Sequence, residues 1–85
     1  MYRVELRARA EKDITALPPS VARRVLRVIT GLGENPRPAG VRKLEVEGAY
    51  RVRLGDYRII FEIDDAGRRV LIVRVRHRRD VYRRL

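Results

Sequence analysis

The chain has 85 residues, 45% of them hydrophobic, which suits one folded domain with a small core and excludes a wholly disordered chain. Zero cysteines exclude a disulfide scaffold and Cys-ligated zinc or iron–sulfur sites, and a single histidine, His77, argues against a His-rich metal site. Lys and Arg number 21 against 11 Asp and Glu; the formal charge of +10 points to a polyanionic partner such as nucleic acid, or to an acidic protein.

In chain order, Tyr2, Val4 and Leu6 alternate with Arg3 and Glu5, which predicts a short strand. Ala10, Ile14 and Leu17 then recur at helical spacing from about Ala8, until Pro18-Pro19 ends the helix. Pro19 suits the first turn of a second helix, whose apolar stripe is Val21, Val25, Val28, Ile29 and Leu32, with Gly31 and Gly33 bracketing its end. Glu34 to Val41, with Asn35-Pro36, Pro38 and Gly40, reads as a loop. Beyond it the period is two. Strands are predicted over Tyr50–Leu54, Tyr57–Ile63 and Val70–Val75, with turns at Gly55-Asp56 and Asp65-Ala66-Gly67. Arg79–Leu85 reads as a short helix or a tail. The order β-α-α-β-β-β predicts an α+β fold: a helical hairpin packed on one face of a four-stranded, mainly antiparallel sheet, forming a single domain over residues 1–85. No apolar run approaches the ~20 residues of a membrane span and Met1-Tyr2-Arg3 leads into no signal-peptide core, so a cytoplasmic location without a membrane partner is expected.

Turn lengths predict strand register. A two-residue turn at Gly55-Asp56 sets Arg53 opposite Arg58 and Arg51 opposite Ile60, leaving Tyr50, Val52, Leu54, Tyr57, Ile59, Phe61 and Ile63 under the helices. A three-residue loop at Ala66-Gly67-Arg68 would set Asp65 opposite Arg69 and Arg58 opposite Arg76, with Leu71, Val73 and Val75 in the core. Arg74, Arg76 and Arg78 would then project beside Arg51, Arg53 and Arg58. Like charges directly opposite on adjacent strands destabilise by a few tenths to ~1 kcal/mol per pair, so such a face is built for an absent anion. A solvated face with Glu62 as internal counterion is the plain alternative. Only Lys12 and Lys43 are lysines; the arginine bias suits bidentate phosphate contacts, and a GC-rich genome would produce it equally well.

Two segments, Ala49–Ile63 (AYRVRLGDYRIIFEI) and Val75–Tyr82 (VRHRRDVY), together with the helical hairpin, Asn35-Pro36 and Lys43-Leu44, resemble the RelE/ParE superfamily of bacterial toxin–antitoxin toxins. The pattern is closer to RelE, the ribosome-dependent mRNA endonuclease, than to ParE, which poisons DNA gyrase. The resemblance implies cleavage of mRNA in the ribosomal A site without metal or cofactor. The ribose 2′-hydroxyl attacks the adjacent phosphate, leaving a 2′,3′-cyclic phosphate and a 5′-hydroxyl. It implies catalytic roles for Arg51 and Arg53, at positions where RelE has lysines, and for Arg58, Arg78 and the base-stacking Tyr82; Arg76 replaces Arg78 if the register slips. Arg74, Arg76 and Lys43 are expected to bind RNA.

Arginine, with a pKa above ~12, does not serve as a base, which leaves that role open. His77 and Glu62 are the candidates. Against them stand a surface or capping role for His77, a salt bridge for Glu62 and, for Tyr82, mere pinning of the tail. The implied partners are a cognate antitoxin, whose acidic or amphipathic segment folds on binding, the ribosome and mRNA, and operator DNA through the antitoxin complex alone. A ParE-like gyrase inhibitor and an inactive homologue acting in a regulatory complex are the alternatives.

Overall fold

In the computed structural model, which describes residues 1–79, the elements follow in the order β1 (Arg3–Leu6), α1 (Ala8–Thr15), α2 (Pro19–Glu34), β2 (Arg42–Lys43), β3 (Ala49–Leu54), β4 (Tyr57–Asp64) and β5 (Arg69–His77). Pro19 opens α2 as its first residue, where a missing N–H leaves no bond unmade. The helix does not stop at its glycines. It runs through Gly31 and Gly33 to Glu34, because Gly33 is the point at which α2 meets β1. The Tyr2 N–H donates to the Gly33 carbonyl at 2.7 Å, and a Cβ at Gly33 would stand 3.1 Å from both the Tyr2 carbonyl oxygen and Val4 Cγ2.

The sheet is mixed, with strand order β1-β5-β4-β3-β2; β1 runs parallel to β5 and the other pairs are antiparallel. The expected α+β architecture is present, with one more strand than expected. After the long loop, the Leu44 N–H donates to the Ala49 carbonyl and the Ala49 N–H to that of Val46, folding the chain back so that Arg42 and Lys43 pair with Arg51 and Tyr50. Ala10 of α1 and Val25, Ile29 and Leu32 of α2 form the core with Val52, Ile59, Phe61, Val70, Ile72 and Val75 of the sheet. Burying each of the larger side chains contributes roughly 1.5–3 kcal/mol, which fixes the sheet face the helices cover.

Two departures from the expected register offset each other. The β4–β5 loop has four residues rather than three, so Asp64, not Asp65, faces Arg69. With no further change, that shift would set arginines of β5 opposite core residues of β4. A β-bulge intervenes: Phe61 faces Ile72 while Ile60 faces Arg74, leaving Val73 as the extra residue. Val70 and Ile72 therefore fill the core in place of Leu71 and Val73, and beyond the bulge Val75 returns to the core. Arg76 comes to lie opposite Arg58.

Candidate phosphate-binding face

Residues directly opposite in a sheet share a face, so the observed registers order the side chains turned away from the core into rows across the strands. Nearest the Gly55-Asp56 turn the row is Arg53–Arg58–Arg76; the next is Arg42–Arg51–Ile60. Gly55 makes this geometry possible: its φ of 61° at the first central position of a two-residue turn closes the β3–β4 hairpin without a slip. Arg53 is exposed, whereas Arg58 in the central strand is 9% exposed. No buried side-chain nitrogen or oxygen among the described residues lacks a partner, so the Arg58 head group keeps contact with solvent while its stem is enclosed. Neither Arg53 nor Arg58 has a side-chain ion pair or hydrogen bond among the described residues.

Several expected members of the group lie elsewhere. Arg74 turns to α1, where its Nε and Nη2 donate to the two Asp13 oxygens at 2.8 and 3.1 Å; Asp13 Oδ2 also accepts the Val75 N–H at 2.9 Å. Burial alone would push the Asp13 carboxyl up, but the Arg74 and Val75 bonds hold it below its ordinary value. This bidentate pair fastens α1 to β5, so Arg74 does not project beside Arg58. Lys43 stands opposite Tyr50, in the row of Phe61, and is therefore not on the arginine side; Arg42, one residue earlier, is. Sequence reading missed Arg42 because β2 is two residues long and shows no alternation.

His77 faces Tyr57, with their rings edge-on at a centroid separation of 5.1 Å, and its Nδ1 accepts the Arg79 N–H at 3.2 Å. It caps the turn that follows β5 and lies on the side opposite Arg58 and Arg76. Glu62 shares the arginine side but stands four residues along β4 from Arg58, ~13 Å at ~3.3 Å per residue, and pairs with Arg7 at 3.9 Å. Neither candidate base is brought beside the arginine row. Arg78 is exposed, and its N–H donates to the Asp56 carbonyl at 2.7 Å, which ties the end of β5 to the tight turn. Tyr82 lies outside the described residues.

A different cluster closes the opposite end of the sheet. Arg37, in the loop after α2, donates to both Asp65 oxygens at 3.1 and 2.9 Å and to the Tyr50 hydroxyl at 3.2 Å, while its guanidinium carbon lies 5.2 Å from the Tyr50 ring centroid. The Tyr2 hydroxyl donates to Asp65 at 2.6 Å. Arg37, and after it Tyr2, hold the Asp65 carboxyl at about 2, and the same bond raises the Tyr2 hydroxyl above its ordinary value. No helix among the described residues is long and apolar enough to cross a membrane.

A hairpin of two helices on a small mixed sheet, with arginines gathered on the side turned away from the helices, defines a class of compact basic proteins rather than one activity. The family model described as "ParE toxin of type II toxin-antitoxin system, parDE" matches residues 4–82. Toxin RelG of Mycobacterium tuberculosis is 36% identical over 85 residues, covering 98% of this chain and 98% of the relative. Toxin RelE of the same organism is 34% identical over 84 residues, covering 96% and 87%. Among solved structures, the archaeal RelE–RelB complex from Pyrococcus horikoshii matches with a TM-score of 0.82 and 34% identity, over 91% of this chain and 94% of that one. The chain belongs to the RelE/ParE superfamily of toxins of type II toxin–antitoxin systems.

Proposed function

We propose that this toxin is a ribosome-dependent endoribonuclease that cleaves mRNA in the A site. The observation that carries this reading is the row Arg53–Arg58–Arg76, a concentration of positive charge on the sheet face turned away from the helices. In the proposed reaction the 2′-hydroxyl oxygen attacks the neighbouring phosphorus and the bond to the 5′ oxygen breaks. The products are a 2′,3′-cyclic phosphate and a 5′-hydroxyl; one proton leaves the nucleophile and one reaches the leaving oxygen. The substrate supplies its own nucleophile, so the protein's task is positioning and charge stabilisation. Arg53 and Arg58 would hold the non-bridging oxygens, whose negative charge grows in the phosphorane, with Arg51, Arg76 and Arg78 on the flanking phosphates. Tyr82 would stack on a base next to the scissile bond. The guanidinium groups stay protonated and take no proton from the 2′-hydroxyl.

Solved relatives from Mycobacterium tuberculosis and Pyrococcus horikoshii are toxin–antitoxin complexes. By that likeness this chain is expected to bind an antitoxin whose acidic or amphipathic segment folds over the arginine face, with operator DNA reached through the complex alone. The matching family model is named for ParE, which supports a second reading as a gyrase inhibitor acting by protein contact. Such a protein has no evident need for an arginine row across the sheet. A toeprint on translating ribosomes tests the choice. A-site cleavage that persists in EDTA, with ribosome integrity controlled, and 5′-hydroxyl products are expected. Intact mRNA together with inhibited gyrase would overturn the nuclease reading in favour of the second.

A further inference from the structure

Resting on the nuclease reading, we infer that Arg42 is an additional phosphate subsite, which continues the RNA path across the sheet onto β2. The face turned away from the helices is divided by charge. Beyond the two arginine rows, the next row is Ala49–Glu62–Leu71–Glu5, followed by Asp64–Arg69–Arg3. Glu62 and Glu5 thus stand one same-face step, ~7 Å, from the row of Arg51 and Ile60. A phosphodiester chain running lengthwise along the strands would leave the arginine rows for an end where these carboxylates are already paired with Arg3 and Arg7. A chain running across the strands stays over arginines from Arg76 on β5 through Arg58 and Arg53 to β3. With strands ~4.8 Å apart, that path reaches β2 about 14 Å from β5, where it meets Arg42 beside Arg51.

Arg42 has the features of a ligand-binding residue. It is exposed, it faces another arginine in direct register, and it has no ion pair among the described residues. A like-charge cross-strand pair works against folding, and two residues of pairing are a weak anchor. Yet the loop leading into β2 is fastened by Arg37, which is bound to Asp65 on the β4–β5 loop and to Tyr50 on β3, the residue opposite Lys43. Tyr2 adds a further bond to the same carboxylate. These bonds hold in place a strand whose arginine has no carboxylate of its own among the described residues.

The test is the salt dependence of binding of a short, fluorescently labelled oligouridylate to the purified toxin. For single-stranded nucleic acid, each phosphate that the protein no longer neutralises flattens the slope of log K against log salt by about 0.7. Arg42→Ala is expected to flatten it by that amount and Lys43→Ala to leave it unchanged, with both variants keeping the parent's thermal midpoint since both side chains are exposed. Arg53→Ala serves as the internal reference. If Arg53→Ala flattens the slope and Arg42→Ala does not, the β2 subsite is wrong and the arginine face stands. If Lys43→Ala takes the place of Arg42→Ala, the path crosses the other side of β2 and the inference falls. If none of the three variants changes the slope, the sheet-face reading fails together with this one.

Discussion

At one end of the sheet face turned away from the helices, carboxylates and arginines are matched. Glu5, Glu62 and Asp64 lie 3.8, 3.9 and 3.2 Å from Arg3, Arg7 and Arg69 respectively. At the other end, beside the Gly55-Asp56 turn, Arg53 and Arg58 face each other with no ion pair among the described residues. Arginines stand at both ends; what differs is the company each cation keeps. The three pairs are largely exposed and contribute little to stability individually. Their consequence is spatial: they neutralise one end of this face and leave its positive charge weighted towards the other. Pairing therefore separates arginines that serve the fold, such as Arg74 and Arg37, from those available to a ligand, a distinction that a count of arginines does not contain.

Removing the ligand-side charge should give the largest effect. Arg58→Met keeps an apolar stem in the enclosed site and deletes the guanidinium, so single-turnover cleavage on programmed ribosomes is expected to fall by ~10²-fold or more. The thermal midpoint should hold or rise, because repulsion from Arg53 and Arg76 is relieved. His77→Gln should lower the same rate by less than about tenfold, since the ring lies on the opposite side of the sheet. A reversed ranking would move the chemistry away from the arginine row.

Breaking a fold-side pair should do the opposite. Asp13→Ala removes the carboxylate that Arg74 and the Val75 N–H share in a partly buried setting, a loss of ~2 kcal/mol. In a chain of this size that corresponds to a fall in midpoint of roughly 10 °C, read by circular dichroism. Cleavage per folded molecule should stay within about twofold of the parent.

The smallest effect is expected at the Arg37–Asp65 cluster. Asp65→Asn should lower the midpoint by a few degrees at neutral pH. The folded carboxyl titrates at about 2, below the ~3.9 of an unfolded aspartate, so its contribution is complete above pH ~4 and is lost as pH falls towards 2. The difference in midpoint between parent and variant should therefore be full at pH 5 and shrink towards zero near pH 2. A difference independent of pH would mean that Asp65 acts through packing rather than charge.

Local chemistry was enough to read every element except β2, and to set Arg53 against Arg58. Pro18-Pro19 separates two amphipathic helices, Gly55-Asp56 fixes a two-residue turn, and period-two alternation then places Arg53 opposite Arg58 with Ile59 and Phe61 beneath the helices. Each of these follows from residues within a few positions of one another. Tertiary structure alone decided the rest. The extra residue at Val73 is absorbed by a bulge because the helices demand Ile72 and Val75 in the core on either side of it. Asp13 claims Arg74 across 61 positions of sequence, and a two-residue strand puts Arg42 rather than Lys43 beside Arg51. These outcomes depend on which distant groups compete for a side chain or a register, and alternation within one strand carries no record of that competition.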